Sequence, residues 1–312
     1  MRNFAQRRPV LAYYLLALLI VCAVMAYSVI MFIMRPETAA ALGTLAQNIM
    51  DGPWYINLIT IAAEVAKQPV LFGIFIFAAA PAISALVIAS LGGGGGLKRL
   101  LARFNPFGPE RSKTEALLLY AALFGLYALG FAVYDFVAGP GVDPFDRLRA
   151  MGGGAVFGAA IGLFLDEGGS LEELGWRGFA GPVLQDGMKS AWLAAVVLGV
   201  MHWAWHLPRE LPTFLGPFDP GVWVANQTVF LVLCIALSIC AMYAVNRSGG
   251  SLWPAIFIHG GSNVWSKAVG DAAAPTLGLV DLRTLLVVTI ALIISVFAGR
   301  RLGRANPPLR PA

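Results

Sequence analysis

Ser170-Leu171-Glu172-Glu173-Leu174-Gly175-Trp176-Arg177 sets two adjacent carboxylates and an arginine between apolar stretches of a chain that is 58% hydrophobic. Charge at membrane depth is costly, so ionisable residues there usually serve a function. Ser170-x-x-Glu173 has the form of a capping box, and behind Gly168-Gly169 it predicts a helix that begins or restarts at Ser170. On that helix Glu173 and Arg177 are spaced i, i+4 in the favourable order. Glu172 points about 100° away, toward the face of Gly175, Trp176 and Phe179. The carboxylates therefore have different neighbours. Taken alone, the motif is as much a capped helix with an interfacial ion pair as a catalytic element.

Working outward, a mean hydropathy of +0.74 and only 12% charged residues exclude an ordinary soluble domain. Apolar runs near 11–34, 69–91, 115–138, 150–166 leading into 170–185, 189–206, 222–245, 253–269 and 283–299 are each of bilayer-crossing length. The expected fold is all-α, a polytopic membrane protein of about eight transmembrane helices with a catalytic core of about four. Basic residues mark one side: Arg2, Arg7 and Arg8, then Lys98, Arg99, Arg103, Arg111 and Lys113, then Arg300, Arg301, Arg304 and Arg310. The positive-inside rule then puts both termini in the cytoplasm and requires an even number of spans. The net charge of +5 reflects that orientation, and nucleic acid is not an expected partner. The first span is too long for a signal-peptide core and reads as a retained anchor. Cys22, Cys234 and Cys240 lie in apolar spans without ligand spacing, which argues for packing rather than a disulfide or thiolate site.

Three regions follow: 1–149 with the first helices and a basic loop, 150–269 as a catalytic core, and 270–312 with the last helix and a basic tail. Gly92 to Gly96 and the basic run to Arg103 read as a flexible turn and an interfacial helix. Asp186-Gly187-Met188 separates the Glu172 helix from the next span, making an antiparallel hairpin. At ~1.5 Å per residue Glu172 lies ~22 Å from that turn, and His202 and His206 lie ~22 and ~28 Å from it on the partner helix. His202-Trp203-Ala204-Trp205-His206 puts both imidazoles on one face, but Trp203 stands where a zincin would need glutamate. In the seventh span His259 and Asn263 share a face across Gly260, Gly261 and Ser262. His-x-x-x-Asn by itself would be interhelical hydrogen bonding.

All three histidines of the chain thus join the glutamate pair within one four-helix region. Glu172-Glu173-x-x-x-Arg177, Trp205-His206-Leu207-Pro208 and His259-x-x-x-Asn263 resemble, in order and spacing, the three motifs of the type II CAAX prenyl endopeptidases and their bacterial relatives, the CPBP or Abi family. The likeness covers the central third to half of the chain. The family's second motif carries phenylalanine four residues before its histidine, where this chain has His202 before His206 and Leu198 before His202. The alignment uses His206 because Leu207-Pro208 follows it, leaving His202 as a supporting residue or a second candidate for the base.

The resemblance implies an intramembrane endopeptidase. Glu172 and His206 would activate water, His259 and Asn263 would donate to the oxyanion, and Glu173 with Arg177 would brace the helix. No cofactor is expected. The alternative is a two-histidine, one-carboxylate zinc site of Glu172, His206 and His259; pairing Asn263 with His259 favours the metal-free form. The implied partners are a membrane-associated protein or peptide substrate and the lipid bilayer. The implied location is a bacterial cytoplasmic membrane. Competing readings are an ion- or proton-coupled transporter using Asp135, Glu172, Glu173 and the histidines, and a catalytically silent scaffold.

Overall fold

A computed structural model describes residues 2–35, 37, 40, 58–67, 71–93, 95–108, 113–138, 163–215, 217–269 and 280–304. Of the expected run at 150–166, residues 150–162 lie outside the described residues. The described chain is mainly helical: α1 (Arg2–Arg7), α2 (Pro9–Met34), α3 (Leu58–Lys67), α4 (Phe72–Gly92), α5 (Gly96–Ala102) and α6 (Lys113–Ala138). Then come α7 (Glu167–Glu173), a π-helical stretch (Leu174–Ala180), α8 (Gly181–Gly187), α9 (Ala191–His206), a 3-10 segment (Leu207–Leu215), α10 (Pro220–Arg247), α11 (Trp253–Val269) and α12 (Leu282–Ala298). Among the described residues, Pro9–Met31, Phe72–Gly92, Ala191–Leu211, Pro220–Arg247 and Leu282–Arg301 are long and apolar enough to cross a bilayer. The all-α, polytopic membrane architecture expected from hydropathy is therefore present.

Outer faces of α2 and α12 carry Leu19, Ile33, Val296 and Phe297, each more than half exposed, a surface that only lipid or another apolar body can cover. Cys234 and Cys240 are buried, as packing residues should be, whereas Cys22 sits on the outer face of α2. The unbroken run from α7 through α8 lies inside, flanked by α4 and α11. Helix α9 returns beside it as the expected hairpin, started by Ser190, whose hydroxyl accepts from the Leu193 amide at 3.2 Å. Helix α10 backs α9, α11 and α12.

Close backbone approach fixes these contacts. A side chain at Gly199 would lie 2.5 Å from the Ile235 Cα, and one at Gly175 would lie 2.5 Å from the Pro81 carbonyl. Pro81 is itself inside α4, where its ring removes the hydrogen bond to the Phe77 carbonyl.

The basic segments meet at one end of the bundle. Gln6 donates to the Leu91 carbonyl, Arg103 to Gly250, Asn246 to Leu302 and Arg304 to Gln185. The N-terminal helix, the loop after α4, the α8–α9 and α10–α11 turns and the C-terminal segment are thereby tied together.

Candidate active site

The helix carrying the two glutamates does not start where the capping box places it. Asp166, extended at φ −60° and ψ 139°, is the N-cap; its Oδ2 accepts from the Gly169 amide at 3.0 Å. Ser170 instead donates its hydroxyl to the Phe164 carbonyl at 2.6 Å. Ser170-x-x-Glu173 loses to Asp166 because the two glycines fit inside the first turn. A Cβ at Gly169 would lie 2.8 Å from the Ile256 carbonyl, so α7 rests directly on the backbone of α11.

After Glu173 the helix widens. The Gly181 amide reaches back five residues to the Trp176 carbonyl, and every residue from Leu174 to Ala180 is buried. Such π turns are rare and gather at functional sites.

Glu173 and Arg177 form the i, i+4 pair read from the sequence. Nη1 donates to Oε1 at 2.7 Å, with side-chain exposures of 1% and 0%. Arg177 also donates from Nη2 to the Ser238 hydroxyl on α10 at 3.0 Å. The same Glu173 oxygen meets His259 Nδ1 at 2.8 Å, so one carboxylate ties the π turn to α11.

Glu172 faces the other way, toward α9, and its Oε2 is 2.9 Å from His202 Nε2. His206 stands next to His202, their ring centroids 5.1 Å apart, and its ring packs among Phe77, Trp205 and Phe230. The motif alignment expected Glu172 to meet His206, whereas equal depth in the hairpin favours His202. The π turn accentuates that difference, since a wider helix rises less per residue and brings Glu172 closer to the α8–α9 turn. Trp176 stacks on His202 at 5.1 Å, and His259 approaches His202 edge-on at 5.6 Å. Glu172, His202 and His259 each offer a ligand-type atom within 4.8 Å of the others.

Asn263, one turn beyond His259, donates from Nδ2 to Asp166 Oδ2 at 2.8 Å. Asp166 is fully buried and was not singled out by motif reading, although an aspartate just ahead of Gly168-Gly169 is a standard N-cap signal. Ser238, the second partner of Arg177, carried no signal in sequence at all. Ser262 is buried on α11 beside the histidine cluster.

Buried acidic, basic and histidine side chains among the described residues are Asp166, Glu172, Glu173, Arg177, the three histidines, and Arg103 at the basic end. All but Arg103 form one cluster rather than a path through the bundle. The side chain of Asp135 lies outside the described residues. Gln227 accepts from the Trp203 indole at 3.1 Å.

Residues 167–265 match the family model described as type II CAAX prenyl endopeptidase Rce1-like. The chain thus carries a CAAX-protease-type domain that spans the glutamate pair, all three histidines and Asn263, in agreement with the resemblance of the motifs. No curated protein matches the chain.

Proposed function

We propose that this chain is an intramembrane endopeptidase in which Glu172 and His202 hold and deprotonate a water that attacks a peptide carbonyl. The observation that carries the proposal is the buried 2.9 Å contact between Glu172 and His202, facing His259 across 5.6 Å. A carboxylate so placed is a general base, and the geometry favours His202 over His206 as its partner. His206 then backs the His202 ring and shields it.

Opposite this pair stand the donors for the oxyanion. Asn263 has one amide N–H on Asp166 and a second to give. His259 has Nδ1 on Glu173, so Nε2 carries a donor proton when the ring is the imidazolium, whose charge two carboxylates surround. Glu173 and Arg177 brace the helix and leave no charge of that pair without a partner.

The second reading uses His259 as a neutral ring with Nε2 as a lone-pair donor. Glu172, His202 and His259 fit zinc by donor type, and the Glu173 contact to Nδ1 is the orienting partner that metal-bound histidines usually have. Zinc there would supply an activated water. Asn263 has a role in the first reading and none in this one, and on that ground the metal-free form is preferred.

The substrate is a membrane-associated protein or peptide cut within reach of the bilayer. The basic end of the bundle faces the cytoplasm by the positive-inside rule, and the host membrane is a bacterial cytoplasmic membrane. Two probes test the activity: a quenched fluorescent peptide ending in a farnesylated CAAX sequence, offered to the protein in liposomes, and the protein termini of cell membranes carrying wild type or Glu172→Gln. Cleavage of either by wild type alone supports the assignment. Identical termini together with an intact farnesyl peptide would refute it.

A further inference from the structure

We infer that Asp166 is a positioning residue for the reaction, fixing the Asn263 carboxamide so that its free N–H faces the reacting carbonyl oxygen, and that the missing side chain at Gly168 keeps that space open. This rests on the proteolytic reading of the site and adds to it two residues outside its three motifs.

An asparagine side chain has nearly the same shape after its oxygen and nitrogen exchange places, so an oxyanion donor of this type works only when something decides which way it points. An ionised aspartate accepts and never donates. Asp166 Oδ2 lies 2.8 Å from Asn263 Nδ2, and the turned-over amide would set its oxygen against that carboxylate. Asp166 therefore selects one orientation. It is held to do so: it is fully buried, and its Oδ2 is anchored by the Gly169 amide at 3.0 Å.

Glycine packing fixes the distance between the two helices. At Gly169 a side chain would meet the α11 backbone at Ile256 and Gly260, and at Gly260 one would collide with the Leu163 carbonyl and Asp166 Cβ. Helices α7 and α11 therefore touch through their backbones, and the separation of Asp166 from Asn263 cannot drift.

Gly168 serves a different purpose. A Cβ there would lie 2.9 Å from His259 Nε2 and 3.0 Å from Asn263 Nδ2. Both nitrogens assigned to the oxyanion border the hollow above this α-carbon, and a methyl group would occupy the space between them.

The test is a double-mutant cycle in kcat. Serine at 166 still caps α7 through its hydroxyl but is too short to reach Asn263. Asp166→Ser, Asn263→Ala and the double variant are assayed in liposomes on whichever peptide wild type cleaves, the farnesylated probe or a synthetic copy of a wild-type-dependent terminus. Asp166→Ser is expected to lower kcat about ten- to hundred-fold with KM nearly unchanged. In the Asn263→Ala background the same change should alter kcat less than about twofold, because residues acting through one group are not additive. A purely structural role would multiply the two losses. Should Asp166→Ser fail to fold, Asp166→Asn retains the cap but adds a donor, so Asn263 can turn over; its kcat should fall several-fold with the same non-additivity. Gly168→Ala, with Asp166 intact, should also lose kcat rather than KM.

Wild-type kcat in Asp166→Ser, or multiplying losses, overturns the orienting role while Glu172→Gln remains inactive. An active Glu172→Gln, or no peptide cleaved by wild type, overturns the proteolytic reading and this inference with it.

Discussion

Glu173 offers the sharpest test of how the site is built, since one of its oxygens receives both Arg177 and His259. Glu173→Gln keeps shape and a neutral acceptor but strands the Arg177 guanidinium, which is 1% exposed and is left with the neutral Ser238 hydroxyl. Removing one partner of a buried ion pair costs about 3–5 kcal/mol, a large part of a total stability of about 5–15 kcal/mol. For a larger domain each kcal/mol corresponds to about 2–4 °C, so unfolding in detergent should come roughly 6–20 °C earlier. Adding Arg177→Met should recover most of that, because an apolar replacement of a whole buried pair is often neutral. Glu172→Gln should behave in the opposite way. It preserves the hydrogen bond to His202 and the melting temperature, yet it removes the base and lowers turnover by orders of magnitude. The assays are thermal unfolding and peptide cleavage on the same preparations. If Glu173→Gln melts like wild type, or Arg177→Met brings no recovery, the buried pair is not what holds this helix. If Glu173→Gln is stable and inactive while Glu172→Gln still cleaves, the two roles are reversed.

His202→Ala should abolish cleavage, and His206→Ala should retain a measurable fraction, since only His202 reaches Glu172; the opposite pattern in kcat would return the base to the histidine before Leu207-Pro208. Protein stripped by a strong chelator should keep its activity and contain far less than one zinc per chain by elemental analysis, and activity lost to the chelator and restored by zinc would make Glu172, His202 and His259 ligands. Single cysteines near Arg7, Arg103 and Arg304, in a chain without Cys22, Cys234 and Cys240, should react only with cytoplasmic reagent. Outside labelling near Arg304 would separate ends that the structure brings together.

Hydropathy located helices well because the bilayer fixes their length. The run read at 253–269 matches α11 at Trp253–Val269, and those read at 189–206 and 222–245 fall within three residues of α9 and α10. The four-residue spacings were equally legible: Glu173 does reach Arg177, and His259 and Asn263 do share a face. Contacts decided by neighbours were not. Nothing local distinguishes Ser170 from Asp166 as the N-cap until Gly169 is seen against Ile256. His202 and His206 share a face by spacing, and only the depth of Glu172 across the hairpin separates them. The π turn lies where Gly175 approaches Pro81 and Gly181 approaches Met242, tertiary contacts that periodicity does not record.

That π turn acts as a one-residue shim between the glutamate pair and the hairpin. A π turn is geometrically an α-helix into which an extra residue has been fitted. Excising one residue from Leu174–Ala180 lets the segment relax to ordinary helix without breaking it. The helix upstream then keeps its facing relative to α8, because the π turn had already absorbed the rotation of the extra residue, and Glu172 still meets α9. Two neighbouring carboxylates are interchangeable in chemistry and differ here in address, and the π turn lets the helix hold one residue more without changing which of them answers to the histidine.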